Sequence, residues 1–171
     1  LRGGEGNDEA FGGAGDDEIF GDAGDDKLAG EDGDDTIFAG DGNDTVFGDA
    51  GDDELYGGAG NDSIFASTGD DTVFGGAGND LITGQLGFDS LVGGAGNDTI
   101  YAGVADAARD TVVGEAGDDS LFGFAGDDLL LGGADDDKAV GDVGDDTLRG
   151  ETGDDTLFGG VGADLIEGGD G

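Results

Sequence analysis

Counted from Gly3 in steps of nine, the chain returns an aliphatic residue to the eighth place of almost every block. The series is Ala10, Ile19, Leu28, Ile37, Val46, Leu55, Ile64, Val73, Ile82, Leu91 and Ile100. It continues with Val112, Leu121, Leu130, Ala139, Leu148, Leu157 and Ile166. Places seven to nine alternate polar, aliphatic and mixed, as in Thr36-Ile37-Phe38 and Glu54-Leu55-Tyr56. This alternation predicts a three-residue strand with its middle side chain turned inward. Places one to six are mostly Gly, Asn and Asp, the residues of tight turns. Each block therefore reads as a six-residue turn followed by a short strand.

The register is strict. Blocks run without a slip over residues 3–101 and again over 114–167, with one twelve-residue block at 102–113 between them. Residues 168–171 read as the start of a further repeat. A fixed short period indicates a stacked repeat architecture, in which each unit buries its apolar residue only against its neighbours. The chain reads as one such array over residues 1–171, cut from a longer one.

Composition narrows the chemistry. There are 43 Gly, 44 Asp plus Glu and only 5 Lys plus Arg, for a formal charge of −39. Such acidity repels nucleic acid and anionic membrane, and no apolar run is long enough to span a bilayer. With no Cys and no His, a disulfide framework is excluded and zinc lacks its usual ligands. The partner implied is a cation that takes oxygen ligands, and calcium is the one that does so by preference. Without it, self-repulsion and a thin, glycine-rich core predict an unfolded chain.

The blocks GGAGDDEIF, GGAGNDSIF and GGAGNDTIY resemble the nonapeptide of the RTX (repeats-in-toxin, haemolysin-type) family. The resemblance implies an all-β fold: a right-handed parallel β-roll, or β-solenoid, with 18 residues per coil and two short strands per coil. About nine coils at roughly 4.8 Å spacing would give a roll near 45 Å long. It also implies that each calcium ion sits between equivalent turns of successive coils, held by aspartate carboxylates and turn carbonyls. The aspartates that match are at place six. One edge carries Asp8, Asp26, Asp44, Asp62, Asp80, Asp98, Asp119, Asp137 and Asp155. The other carries Asp17, Asp35, Asp53, Asp71, Asp89, Asp110, Asp128, Asp146 and Asp164. Nine turns per edge leave eight gaps, so the ceiling is roughly sixteen Ca2+ ions, which would bring −39 to about −7.

Place five is Asn or Asp in most blocks and reads as a turn former rather than a ligand, since Phe88 and Ala163 also occupy it. Two exceptions at place four, Asp135 and Ala108, put a Cβ where glycine is expected, and calcium is least expected around them. Place two holds Glu31, Gln85, Glu115, Phe124 and Glu151, which reads as no strict need for glycine there. Outward aromatics at place nine, including Phe20, Phe38, Tyr56 and Phe74, are expected to stack between strands, with docking of a neighbouring domain as the alternative.

The function implied by the resemblance is a calcium-binding module that folds on meeting calcium after type I secretion. It would be part of a larger secreted, extracellular bacterial protein whose flanking domains are its other partners. The alternative is a structural spacer or ligand-binding roll of a secreted adhesin. Catalysis within these residues is not expected, because the familiar nucleophile–base pairs are missing and the acids recur at every turn.

Overall fold

The computed structural model describes residues 1–103 and 107–171. These form nineteen strands and no helix, so among them no helix is long and apolar enough to cross a membrane. Strands that are odd in chain order make a 10-stranded parallel sheet, and even ones make a 9-stranded parallel sheet. Each strand pairs with the strand two places on, residue i with i+18, as Ile37 with Leu55 and Val46 with Ile64, and with i+21 across the twelve-residue block. Two strands make a coil, and the coils stack into a parallel β-solenoid.

The strands are longer than the sequence pattern suggested. Most run six residues, such as Thr36–Asp41 and Thr45–Ala50, and take in places seven to nine together with places one to three of the next block. The connecting turn is three residues, not six. The reason lies at place one. Its residue faces inward two positions after the aliphatic one, continuing the pleat, but it is Gly or Ala and so adds little to a hydropathy pattern. Ala39, Ala66 and Ala102 show the orientation, each at 0 % exposure.

The core is one side chain deep per strand. The place-eight residues from Ile19 to Leu148 form a single buried column between the sheets, each at 0 % exposure. On the outer face the aromatic ladder is stacked. Phe20–Phe38, Phe38–Tyr56 and Tyr56–Phe74 lie 5.2, 4.8 and 5.1 Å apart with interplanar angles of 11, 9 and 9°. Cross-strand stacking of this kind stabilises a thin sheet by about 1 kcal/mol per pair.

Every positive φ among the described residues falls at place two or place four. Place two accepts residues other than glycine, as expected, but holds them at positive φ. Nine non-glycine residues, Glu31, Gln85, Glu115, Phe124 and Glu151 among them, sit there at φ between 70 and 90°. The backbone geometry is kept and the side chain carries the strain. Asp135 at place four does the same, at φ 81°.

The twelve-residue block keeps the stack in register. Ser90–Ala95 pairs with Thr111–Ala116, and Gly103 pairs with Phe124. Its excess residues, expected to bulge within 102–109, lie in part outside the described residues.

Candidate metal sites

Each turn edge is a ladder of aspartates. The stacked backbone sets the place-six residues of successive coils above one another, and their carboxylates turn inward. Those from Asp26 to Asp146 are 0 to 3 % exposed. Along one edge the Asp8 N–H donates to Asp26 Oδ1, Asp26 N–H to Asp44, Asp44 to Asp62 and so on to Asp155. Along the other, Asp17 N–H donates to Asp35 Oδ1 and the series runs to Asp164. All these distances lie between 2.7 and 3.1 Å. The ladders cross the long block unbroken, from Asp89 to Asp110 and from Asp98 to Asp119, both at a separation of 21. The eighteen aspartates expected from sequence are thus brought together in two files of nine.

In many of these carboxylates only one oxygen is used. The Oδ2 atoms of Asp26, Asp35, Asp44, Asp53, Asp62, Asp71, Asp80, Asp98, Asp119, Asp137 and Asp146 are buried and have no hydrogen-bond partner. A buried, unpaired carboxylate oxygen is costly. Its titration reflects this. Burial pushes Asp53, Asp62 and Asp119 up to about 7, and Asp71, Asp98 and Asp137 up to about 6, against the partial relief of the backbone hydrogen bond. Asp35, Asp44, Asp80 and Asp146 are also raised, again by burial first. Neighbouring carboxylates of the ladders add to the shift of Asp53, Asp62 and Asp119.

The place-one glycine leaves room beside these oxygens. A Cβ built on Gly57 would lie 2.5 Å from Asp62 Oδ2 and 2.5 Å from the carbonyl oxygen of Gly75 on the next coil. A carboxylate oxygen and a neighbouring coil's carbonyl oxygen therefore border one small space, and the same pair recurs at Gly48, Gly75 and Gly114. Among the described residues no three acidic or other metal-binding side chains converge on one point. A metal here would have to complete its shell with carbonyl oxygens. Such an all-oxygen set fits a hard divalent cation of calcium's kind.

A second ladder runs outside the first. Place-five side chains accept from the backbone of the following coil, as Asp25 N–H to Asn7 Oδ1, Asn61 N–H to Asn43 Oδ1 and Asn79 N–H to Asn61 Oδ1. Phe88 and Ala163 still donate their N–H groups, to Asp70 and Asp145. The sequence signal was read as turn formation alone. The cross-coil bond became visible only once the eighteen-residue register placed these residues over one another.

These geometries agree with the comparison to known families. The model of the RTX calcium-binding nonapeptide repeat, built of four copies, matches residues 1–28, 20–55, 29–64, 56–91, 83–106, 104–139 and 140–171. The chain belongs to this family. A search of curated proteins finds no match. RTX repeats are calcium-binding β-roll structures and not an enzyme family. The roll described above is such a structure.

Proposed function

We propose that this RTX segment binds calcium between successive turns along both edges, and that binding drives its folding. The eighteen place-six aspartates supply the carboxylate oxygens, and turn carbonyls complete each shell. The observation that carries this reading is the file of buried Oδ2 atoms without hydrogen-bond partners. An ion that binds only the folded chain stabilises it by mass action. With −39 charges to neutralise, the dependence should be steep.

On this reading the segment folds outside the cell, as part of a larger secreted protein. Extracellular calcium modules work at roughly 10⁻⁴ to 10⁻³ M, so a calcium-poor cytosol would leave the chain loose enough to export.

Far-ultraviolet circular dichroism across a calcium titration tests the proposal. A cooperative gain of β signal is expected with calcium and none with magnesium at the same concentration, because magnesium demands a small, nearly ideal octahedron and dehydrates reluctantly. A full β signal in chelator at neutral pH, or equal folding in magnesium, would refute it.

A further inference from the structure

The chain sets Asp directly before Gly at three steps: Asp32 before Gly33, Asp41 before Gly42 and Asp170 before Gly171. Every other Asp precedes a residue with a side chain. Two of the three steps fall in consecutive blocks inside the array. Both aspartates stand at place three, where the neighbouring blocks carry Ala14, Ala23, Ala50 and Ala59. Asp32 and Asp41 end the strands Lys27–Asp32 and Thr36–Asp41, and both are exposed. Glycine has no Cβ to shield its nitrogen, so these steps are the ones most open to attack of that nitrogen on the preceding aspartate carboxyl.

In the roll each of these peptides is held from both sides. Gly42 N–H donates to the Ala59 carbonyl of the following coil at 2.8 Å, and the Asp41 carbonyl accepts from Gly24 N–H of the preceding coil at 2.8 Å. Gly33 N–H donates to the Ala50 carbonyl at 2.8 Å, and the Asp32 carbonyl accepts from Gly15 N–H at 2.6 Å. The proton on each glycine nitrogen is therefore engaged. The peptide plane cannot turn towards its own side chain without breaking two backbone hydrogen bonds. The stack is also tight here. A Cβ built on Gly42 would lie 2.1 Å from the Gly24 carbonyl oxygen, and one on Gly33 would lie 2.6 Å from that of Gly15. No further backbone atom fits between these turns.

We propose that Asp32 and Asp41 are modification sites gated by folding: in the loose chain each converts to isoaspartate, and the closed roll holds both out of the reaction. The glycine nitrogen bonds to the aspartate Cγ, and its proton leaves with the carboxyl hydroxyl as water, closing a cyclic imide. Water then adds at the aspartate backbone carbonyl carbon and breaks its bond to that nitrogen. The main chain now runs through Cβ and Cγ, one carbon longer, and the former backbone carbonyl is a free carboxylate. Mass is unchanged, and neither oxidant nor reductant is required. An isomerised step no longer fits the stack, so calcium closes the coils beyond it but not the coil that contains it. The proposal rests on the calcium reading above for what opens the chain; the protection comes from the roll alone.

Ageing the chain at neutral pH in saturating calcium, in chelator and in urea tests this. Isoaspartate is labelled with a protein isoaspartate methyltransferase and placed by peptide mapping, which separates Asp170 from the other two. Asp32 and Asp41 should take up label in urea and in chelator, and more than about tenfold more slowly in calcium. Equal rates in calcium and urea, or no label at either residue in urea, overturn the proposal. Wild-type chain aged in chelator should also regain less β signal when calcium is restored. The double variant Asp32→Ala, Asp41→Ala takes the residue that neighbouring blocks carry at this place, so it suits the backbone, and it should regain its full signal after the same ageing. An equal loss in the double variant would show that isomerisation at these residues is not what keeps the aged chain from closing. Label in urea but none in chelator would mean that the roll closes without calcium, so that the proposed function fails while this inference stands.

Discussion

Asp62→Asn should stabilise the metal-free chain and weaken its response to calcium, two effects of opposite direction from one substitution. Asp62 lies mid-array, 2 % exposed. Its Oδ1 accepts the Asp44 N–H at 2.8 Å, while Oδ2 has no partner. Asparagine keeps the acceptor, removes the charge, and sets an amide donor close to the Gly75 carbonyl that borders the same space. Burial raises the Asp62 carboxyl from 3.8 to about 7. At 1.36 kcal/mol per pKa unit, that shift corresponds to a ceiling of about 4 kcal/mol of lost stability when the group is ionised; allowing for relaxation, about 2 kcal/mol is expected. The sign follows from the raised folded-state pKa. The penalty is absent below pH about 4, where both states are protonated, grows between about 4 and 7, and is complete above about 7. A protective osmolyte such as trimethylamine oxide favours the compact state of the metal-free chain. In chelator at pH about 8, Asp62→Asn should then need less osmolyte than the wild type, and the two should converge as pH falls towards about 4. In calcium the order reverses, because the variant lacks a ligand in two adjacent gaps and its folding midpoint moves to higher calcium. If Asp62→Asn folds no more readily than the wild type in chelator at the higher pH, the buried charge is not what holds the metal-free chain open. An unchanged calcium midpoint would remove Asp62 from the ligand set.

Three further outcomes follow from the backbone. Gly60→Ala should cost about 3 kcal/mol and raise the calcium midpoint of the circular dichroism transition, because a Cβ there collides with the Gly42 carbonyl and the residue sits at φ +134°. Glu115→Gly should stabilise the roll by roughly 0.5–1 kcal/mol, read as a higher denaturant midpoint in saturating calcium, since it relieves a side chain held at φ 82°; a loss of stability there would mean that the place-two side chains are not strained. Trypsin in saturating calcium should make its first internal cut after Arg109, the one basic residue among those described that lies outside a strand, and mass spectrometry of early fragments ending at Lys27 or Lys138 instead would refute that.

Much of the fold was legible because the period carries it. An aliphatic residue every nine positions, with Gly and Asn or Asp between, leaves few ways to bury the apolar file other than stacking coils, and Ile37 over Leu55 or Val46 over Ile64 is that stacking realised. The strand length was not legible. Hydropathy cannot register an inward-facing glycine, so the pleat was lost at Gly48 and Gly57, although the occasional Ala39, Ala66 and Ala102 at the same place was a signal that this face is inward and tolerates a methyl. Place two was legible only in part: Phe124 and Gln85 show that a side chain is accepted there, but not that neighbouring coils impose a positive φ whatever the residue.

The aspartate files were legible in their spacing, but their hydrogen-bond sense was not, and that sense bears on what calcium has to do. At place six the N–H of one coil donates to the side chain of the next coil, as Asp26 to Asp44. At place five the direction reverses, and the N–H of the later coil donates back, as Asn61 to Asn43. Interior turns with Asn or Asp at place five are therefore tied to both neighbours by their own side chains, while strand pairing and the column from Ile19 to Leu148 fix the rest. These bonds and the core set the register and spacing of the folded stack. What remains unmet is charge: Oδ2 atoms that are buried, unpaired and crowded by like neighbours. On the proposed reading calcium meets that charge, and the stack forms once it is met. Removing ladder charges one at a time should accordingly ease folding of the metal-free chain step by step while weakening its response to calcium.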